Sequence, residues 1–282
     1  MEAVNLSYIY NSNYDKKTVD GVNLKIEKGR YVSLIGETGS GKTTLAENLC
    51  LILKPTEGKV LFDGVDVWAS KAAELEFRKK IGVVFQFAHH QLFAETVYDD
   101  IAFGPRNLGF SEQEVGFKVH NAAALFGVHE NLFKKSPFEL SGGQQKRVAI
   151  AGVLAMEPSV LILDEPTAGI DPAGRSQILK TIRKYHDQTN CTTIHVTHNM
   201  QEVVDFADEV AVMNAGKVFR FGPVEEVFGN SDFLNEIGLE NLQILEVFSR
   251  LKNLGFSVPT NVYDAKTAAE IIKKMILGEE KK

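Results

Sequence analysis

The chain has 282 residues, enough for one large α/β domain with an appendage or for two domains. Hydrophobic residues make up 44% and charged residues 24%, an ordinary globular balance, and the net charge of −6 argues against a broadly nucleic-acid-coating surface. Met1-Glu2-Ala3-Val4 lacks the basic and apolar regions of a signal peptide. The longest apolar stretch, Val148 to Met156, falls far below the ~18 residues of a membrane helix, so the expectation is a cytoplasmic protein that does not itself cross a membrane. Cys50 and Cys191 match no metal-ligand spacing and read as small buried apolar residues.

Residues 3–35 alternate apolar segments with turn signals, at Val4 to Tyr10, at Val22 to Ile26 and, after Lys28-Gly29, at Tyr31 to Ile35. The period of two and the β-branched residues predict antiparallel strands flanking the core. Tyr31-Val32-Ser33-Leu34-Ile35 is short and apolar enough for a buried parallel strand. It leads into Gly36-Glu37-Thr38-Gly39-Ser40-Gly41-Lys42-Thr43-Thr44, and Leu45 to Leu49 reads as the start of a helix. Strand, glycine-rich loop, helix is the context that the phosphate-loop pattern G-x-x-x-x-G-K-[ST] requires. Its four fixed positions match by chance at about 4 × 10⁻⁵ per site, roughly 1% over such a chain, which leaves little room for a merely flexible turn. Glycines let backbone N–H groups face phosphate oxygens, and the helix N-terminus adds positive potential. Lys42 is placed to reach the β- and γ-phosphates, and the Thr43 hydroxyl to sit on Mg²⁺.

Leu61 to Val65 carries the turn pair Asp63-Gly64 of a hairpin, Lys71 to Lys80 reads as a short charged helix, and Ile81 to Phe85 as a buried strand ending at Gln86. From Ser111 to Leu140 the pattern turns helical, with Val115, Val119, Ala122, Ala123 and Phe126 at spacings of three and four. A helical insertion is expected over about residues 87–158. Val160 to Leu163 is a buried strand ending in Asp164-Glu165, and Thr192 to Val196 is the next, ending at Thr197-His198. Asn214-Ala215-Gly216-Lys217 joins two strand-like runs as a hairpin. After Pro223 the composition shifts, with helical spacing at Leu242, Leu245, Phe248 and Leu251 and again from Ala268 to Leu277. Residues 224–282 are expected to form a small accessory helical domain.

Leu140-Ser141-Gly142-Gly143-Gln144 opens a helix with Ser141 at the N-cap position, a second anion-binding terminus in one chain. One ATP needs only one such terminus from a single subunit, so the second makes sense if it serves an ATP held by a neighbouring subunit. Asp164 and Glu165 at a strand end could be ordinary solvated carboxylates, but the phosphate loop upstream and Pro166 behind them argue for a paired role.

With both termini in hand, residues 3 to about 223 resemble an ABC-type ATPase subunit, with every motif in family order. The resemblance makes Gln86 the Q-loop glutamine, Leu140 to Gln144 the signature, Val160 to Asp164 the Walker B strand, Glu165 the catalytic carboxylate, Ala168 to Asp171 the D-loop and His198 the switch histidine. It implies an α/β fold of the P-loop NTPase class, an ABC cassette with a mixed β-sheet core, an antiparallel β subdomain and a helical insertion in residues 1–223, followed by the small C-terminal helical domain. Gln86 to Phe93, Asp100 to Gly109 and Ser136 to Leu140 are similar to the energy-coupling factor (ECF) transporter ATPases, the second of the two paralogues more than the first.

That resemblance implies hydrolysis of ATP with Mg²⁺ held by Thr43, Gln86 and Asp164. Glu165, His198 and Gln86 would serve the reaction, and residues 36–44 the phosphates. Ser141, Gly142, Gly143 and Gln144 would act in trans, with Asp171 in the D-loop. An aromatic side chain is expected on adenine: Tyr10 matches the family position and Tyr14 competes with it. Partners would be a second ATPase (the first paralogue, or another copy), a membrane scaffold protein and a membrane protein that binds the substrate, a vitamin or metal ion. The place of work would be the cytoplasmic face of the membrane. A soluble ABC ATPase is the alternative, as is a nucleotide-binding regulator without turnover. Gln145-Lys146 departs from the usual signature and is expected to face solvent without consequence. His89-His90 reads as a loop-surface substitution rather than a metal site, and His195, inside its strand, as a satisfied core histidine.

Overall fold

The structure is a computed structural model and describes residues 1–10, 16–229, 237–239, 242–259, 262–263 and 265–277. Tyr14 lies outside the described residues. The strands form two sheets. The smaller is antiparallel, in the order β2 (Val19–Lys25), β1 (Glu2–Tyr8), β4 (Glu57–Phe62), β5 (Val65–Asp66). In its β4–β5 turn Asp63 and Gly64 both take positive φ, as the turn pair in the sequence requires.

The larger sheet runs β10 (Lys217–Pro223), β9 (Glu209–Asn214), β3 (Tyr31–Gly36), β8 (Thr192–Val196), β7 (Val160–Asp164), β6 (Ile81–Val84). All neighbours pair in parallel except the β9–β10 hairpin. Every residue of β3 and β8 is buried, which is why β3 reads as a nearly continuous apolar run rather than as alternation, while β8 buries Thr192, Thr193 and His195 among its apolar residues. Helix α1 (Lys42–Leu49) follows β3, and α2 (Lys71–Arg78) precedes β6.

Between β6 and β7 comes a helical layer of α3 (Val97–Asn107), α4 (Glu112–Leu125) and α5 (Gly142–Leu154). Each start is fixed by its own sequence. The Thr96 hydroxyl accepts from the Asp99 N–H at 3.1 Å, Ser111 and Glu114 form a reciprocal capping box, and Gln144 reaches back to the Ser141 N–H at 3.1 Å. Val115, Val119, Ala122, Ala123 and Phe126 all point into one core with Ile101, Val148, Ile150 and Leu154.

Helix α6 (Pro172–Thr189) leads to β8, and α7 (Met200–Phe206) to β9. The last helices are α8 (Val224–Phe228), α9 (Gln243–Asn253) and α10 (Ala265–Leu277). Apolar packing runs across residue 223: Val224, Val227, Phe228, Leu239, Leu242 and Leu245 share a core with Ile35, Met200, Val203, Val210 and Val212. Phe248, Val262 and Ala268 form a smaller cluster beyond it.

Strand β6 lies close against α5 because Gly82 has no side chain: a Cβ there would come within 2.7 Å of Val153 Cγ1 and 2.9 Å of Pro158. Gly82→Val overfills this contact and is expected to cost about 1–3 kcal/mol. Thermal unfolding of the purified chain checks it; an unchanged Tm would mean that strand and helix do not pack this tightly.

Candidate functional site

The hydrogen-bond register of the large sheet sets three strand ends level with one another. Val196 pairs with Leu34 on one side and with Asp164 on the other. Residues 36–44, 164–165 and 197–198 therefore leave the sheet along one edge, at the carboxyl ends of parallel strands, where open α/β sheets bind ligands. Gly36 and Gly41 cannot be replaced without rebuilding this edge. Added Cβ atoms would meet the Met213 carbonyl at 2.4 Å and the Thr18 carbonyl at 2.5 Å, and Gly41 also has a φ of 100°.

Lys42 is buried at the start of α1 and donates to the Gly36 and Glu37 carbonyls at 2.7 and 2.8 Å. Burial holds its ammonium below the usual lysine range, against the pull of Glu165, Asp164 and Glu37. Burial, with the nearby Glu165 charge, lifts Asp164 to about 6, while the Thr43 hydrogen bond and Lys42 pull the other way. The Glu165 carboxylate is gripped from two sides: Gln86 Nε2 donates to one oxygen at 2.8 Å and His198 Nδ1 lies 2.9 Å from the other. Its backbone is also held, with φ at 44° and the N–H donating to the Val196 carbonyl at 3.0 Å. A non-glycine residue in the left-handed region is strained, and such residues cluster where geometry serves chemistry. The His198 side chain is 71% exposed, so this grip stands at the surface.

The Tyr10 hydroxyl lies 3.0 Å from Thr44 Oγ1 and donates to Glu47 at 3.1 Å, which sets the ring beside α1 with its edge toward Tyr8. Ser141, Gly142, Gly143 and Gln144 are all exposed. Among the described residues no hydrogen bond joins them to the phosphate loop. Asp171 caps α6, accepting from the Ala173 and Gly174 N–H groups at 3.1 and 3.0 Å.

Two expectations need correction. Gln145 is half-buried and Lys146 buried, so neither is a plain solvent-side residue. Gln145 donates to the Pro137 carbonyl at 3.1 Å, and Lys146 is 4% exposed with its Nζ on the Ala168 carbonyl. The helical turn carries Lys146 inward beside Ile150, and only its length lets the ammonium reach residue 168. His195 is only partly satisfied: it is fully buried with Nδ1 3.4 Å from the Tyr31 hydroxyl, while Nε2 makes no hydrogen bond. Burial lowers it to about 3, so it stays neutral. His89 and His90 sit on a short 3₁₀ turn with rings 4.3 Å apart, and no group of three or more metal-binding side chains occurs among the described residues. Cys50 and Cys191 are buried free thiols.

Four residues near the site escaped the sequence: Lys146, Thr167, Thr197 and Glu202. Glu202 is 6% exposed, accepting from the Thr197 hydroxyl at 2.7 Å and from the Thr167 hydroxyl at 3.2 Å. Its one legible signal is position. It lies one turn beyond His198 on a helix whose Met200, Val203 and Phe206 are all buried.

Between the loop after Gln86 and helices α3 and α5 lies a groove of about 370 Å³. Gln91, Phe93, Phe103, Gly104, Val153 and Met156 line it, and the Phe93 and Phe103 rings meet edge-on at 4.7 Å. No helix among the described residues is long and apolar enough to cross a membrane.

The comparisons agree with this geometry. The ABC transporter family profile matches residues 19–168. A solved structure of cbiO1 from Clostridium perfringens, titled as part of the ABC transporter complex cbiONQ, superposes with a TM-score of 0.74 at 39% identity, covering 90% of this chain and 97% of that one. A dimeric ATP-binding cassette in a post-hydrolysis state, bound to ADP and Pi, superposes with a TM-score of 0.72 at 28% identity, covering 79% of this chain and 98% of that one. The energy-coupling factor transporter ATP-binding protein EcfA2 of Caldanaerobacter subterraneus is 45% identical over 97% of this chain and 96% of its own length. Its namesake in Clostridium tetani is 44% identical over 96% and 95%. The chain belongs to the ABC transporter ATPases and, within them, to the energy-coupling factor transporter ATP-binding proteins.

Lys146→Glu would set a buried carboxylate against the Ala168 carbonyl and is expected to cost about 3 kcal/mol or more. Urea unfolding measures it. A change within about 0.5 kcal/mol, the usual effect of a surface substitution, would return Lys146 to solvent.

Proposed function

We propose that this chain binds and hydrolyses ATP as one of two ATPase subunits in an ECF-type transporter, driving inward transport of a vitamin or metal ion. The observation that carries the reading is the Glu165 carboxylate, held between Gln86 and His198 at the edge where the phosphate loop begins. Residues 36–44 would cradle the phosphates with backbone N–H groups, and Lys42 would turn from its two loop carbonyls to the β- and γ-phosphates. Tyr10 would lie against the adenine.

The Thr43 hydroxyl, the Asp164 carboxylate and the Gln86 amide oxygen are hard oxygen donors of the kind that suits Mg²⁺. The buried, charge-crowded Asp164 is a group whose ionised form a divalent cation would favour. When bound, the ion neutralises charge on the phosphate oxygens. Glu165 then takes the proton of the attacking water, and His198 fixes the carboxylate while reaching toward the γ-phosphate.

The exposed Ser141-to-Gln144 terminus fits a partner's ATP better than the chain's own, so each working site would combine one subunit's phosphate loop with the other's signature, with Asp171 beside the shared surface. The paralogous ATPase is the partner we favour. The same motifs are self-complementary under two-fold symmetry, so a second copy can also pair. The apolar groove beside the loop after Gln86 suits a helical segment of a membrane scaffold protein, which would hold the chain at the cytoplasmic face. A separate membrane protein would bind the transported substrate. Residues 1–223 would form the ATPase unit, with residues 87–158 as its helical insertion and 224–282 as an accessory region.

Glu165→Gln is expected to keep ATP affinity while turnover falls by about 10²–10⁴, the usual contribution of a positioned base. Steady-state hydrolysis beside equilibrium ATP titration tests this, and wild-type turnover would remove Glu165 from the mechanism. Lys42→Ala is expected to weaken ATP binding about 10- to 150-fold through loss of a charge-assisted contact, read by the same titration. Mixing a Ser141→Arg chain with a Lys42→Ala chain should recover at most one working site per dimer. Full-rate hydrolysis by a strictly monomeric chain would end the shared-site reading.

A further inference from the structure

Behind the hydrolytic edge lies a buried polar cluster that the reaction outlined above does not use. Glu202 projects from the first turn of α7 into a space closed by the loop after β7 and the loop after β8, and its side chain is 7% exposed. One carboxylate oxygen accepts from the Thr167 hydroxyl at 3.2 Å and the other from the Thr197 hydroxyl at 2.7 Å. A carboxylate can only accept and a threonine hydroxyl has a single proton, so the direction of both bonds is fixed. Thr197 Oγ1 in turn accepts from the Asn199 N–H at 3.1 Å. Both threonines are buried, at 4% and 3% exposure.

These two hydroxyls belong to the segments that carry the reacting groups. Thr167 comes two residues after Glu165, and Thr197 immediately precedes His198. The two loops are therefore joined twice, in front by the 2.9 Å contact between His198 Nδ1 and Glu165, and behind by Glu202. The result is a closed ring running Glu165, Pro166, Thr167, Glu202, Thr197, His198 and back to Glu165. On its far flank Lys146 holds the Ala168 carbonyl, so the loop after Glu165 is pinned on both sides.

The cluster is a poor device for stability alone. The nearest cationic atom, Arg175 Nε, is 3.8 Å from the carboxylate and makes no hydrogen bond, and the neutral His195 Nε2 at 3.6 Å makes none either. A buried carboxylate without a well-formed ion pair generally does no better for stability than an apolar residue of similar volume.

We propose that Glu202 is a positioning residue for ATP hydrolysis, strapping the Thr167 and Thr197 hydroxyls together so that Glu165 and His198 stay in register. The inference rests on the reading of Glu165 as the residue that activates water. Positional errors of the order of 1 Å at a reacting group cost around 10²-fold in rate, so loss of the strap acts on turnover rather than on ATP binding.

The test uses the full-length chain and compares wild type, Glu202→Gln, Thr197→Val, Thr197→Ser, Glu165→Gln and the Glu165→Gln/Glu202→Gln double variant. Hydrolysis, ATP KM and Tm are measured for each. Glu202→Gln leaves one acceptor where two are used, and Thr197→Val keeps the shape while removing the hydroxyl. Each is expected to lower kcat by about 10-fold or more with KM within about twofold, and Thr197→Ser restores kcat. In the Glu165→Gln background Glu202→Gln should cause little further loss, because both substitutions act through one carboxylate. Wild-type kcat in both Glu202→Gln and Thr197→Val would overturn the proposal. So would losses that multiply in the double variant, or a fall in kcat that tracks Tm and is not restored by serine. Should Glu202→Gln fail to fold, the Thr197 pair decides by itself. If Glu165→Gln hydrolyses ATP at the wild-type rate, the functional reading itself falls. If Glu165→Gln is slow while the strap variants are normal, only the role of Glu202 is lost.

Discussion

In the six-stranded sheet, Val196 at the end of β8 pairs with Leu34 of β3 and with Asp164 of β7. That parallel register brings the phosphate loop, the two carboxylates and the histidine to one edge, although they are spread from residue 36 to residue 198 in the chain. A slip of one residue in either ladder would turn the strand's side chains to the opposite faces, and Asp164 would leave the cleft for the core. Burial of β3 and β8 on both faces protects against such a slip, since each residue there is committed to a packed neighbour.

On that edge the chain concentrates groups that burial disfavours. Lys42 is held below its ordinary range and Asp164 above its own, and Glu165 sits in a left-handed backbone conformation between two donors. Each is an expense at the level of folding. They are tolerable because strands and hydrophobic clusters on both sides of the sheet hold the backbone that carries them. Pre-placed charge is what phosphoryl chemistry needs, since the protein contributes position and field rather than covalent bonds.

The two largest apolar clusters divide the labour. One packs β1, β2 and α1 against the lower face of the sheet and carries the phosphate loop. The other packs α3, α4 and α5 against the opposite face and carries the exposed signature and the phenylalanine-lined groove. The C-terminal segment packs on Ile35, Val210 and Val212, which alternate with Leu34, Ala211 and Met213 of the first cluster and so lie on the opposite face; a Cβ on Gly238 would overlap the Glu37 carboxylate, so the segment also reaches the phosphate loop.

Much of this was legible in the amino-acid order because it is local. The glycine-rich loop between strand and helix, the cap at Ser141, and the buried strands β3, β7 and β8 depend on neighbours within a few residues. The period of 2 or 3.6 and the turn residues state them directly. The motif order was sufficient to indicate the family, and the comparisons bear that out. What the order could not state is which way a long polar side chain turns when its helix meets another element. Lys146, expected to face solvent, is buried on the Ala168 carbonyl; Glu202, which no motif marked, joins two loops; His195 has one ring nitrogen without a partner. Those outcomes turn on contacts such as Lys146 with Ala168, Thr167 with Glu202 and Tyr31 with His195, which join residues 22, 35 and 164 positions apart, and only the packed sheet and its helices decide them.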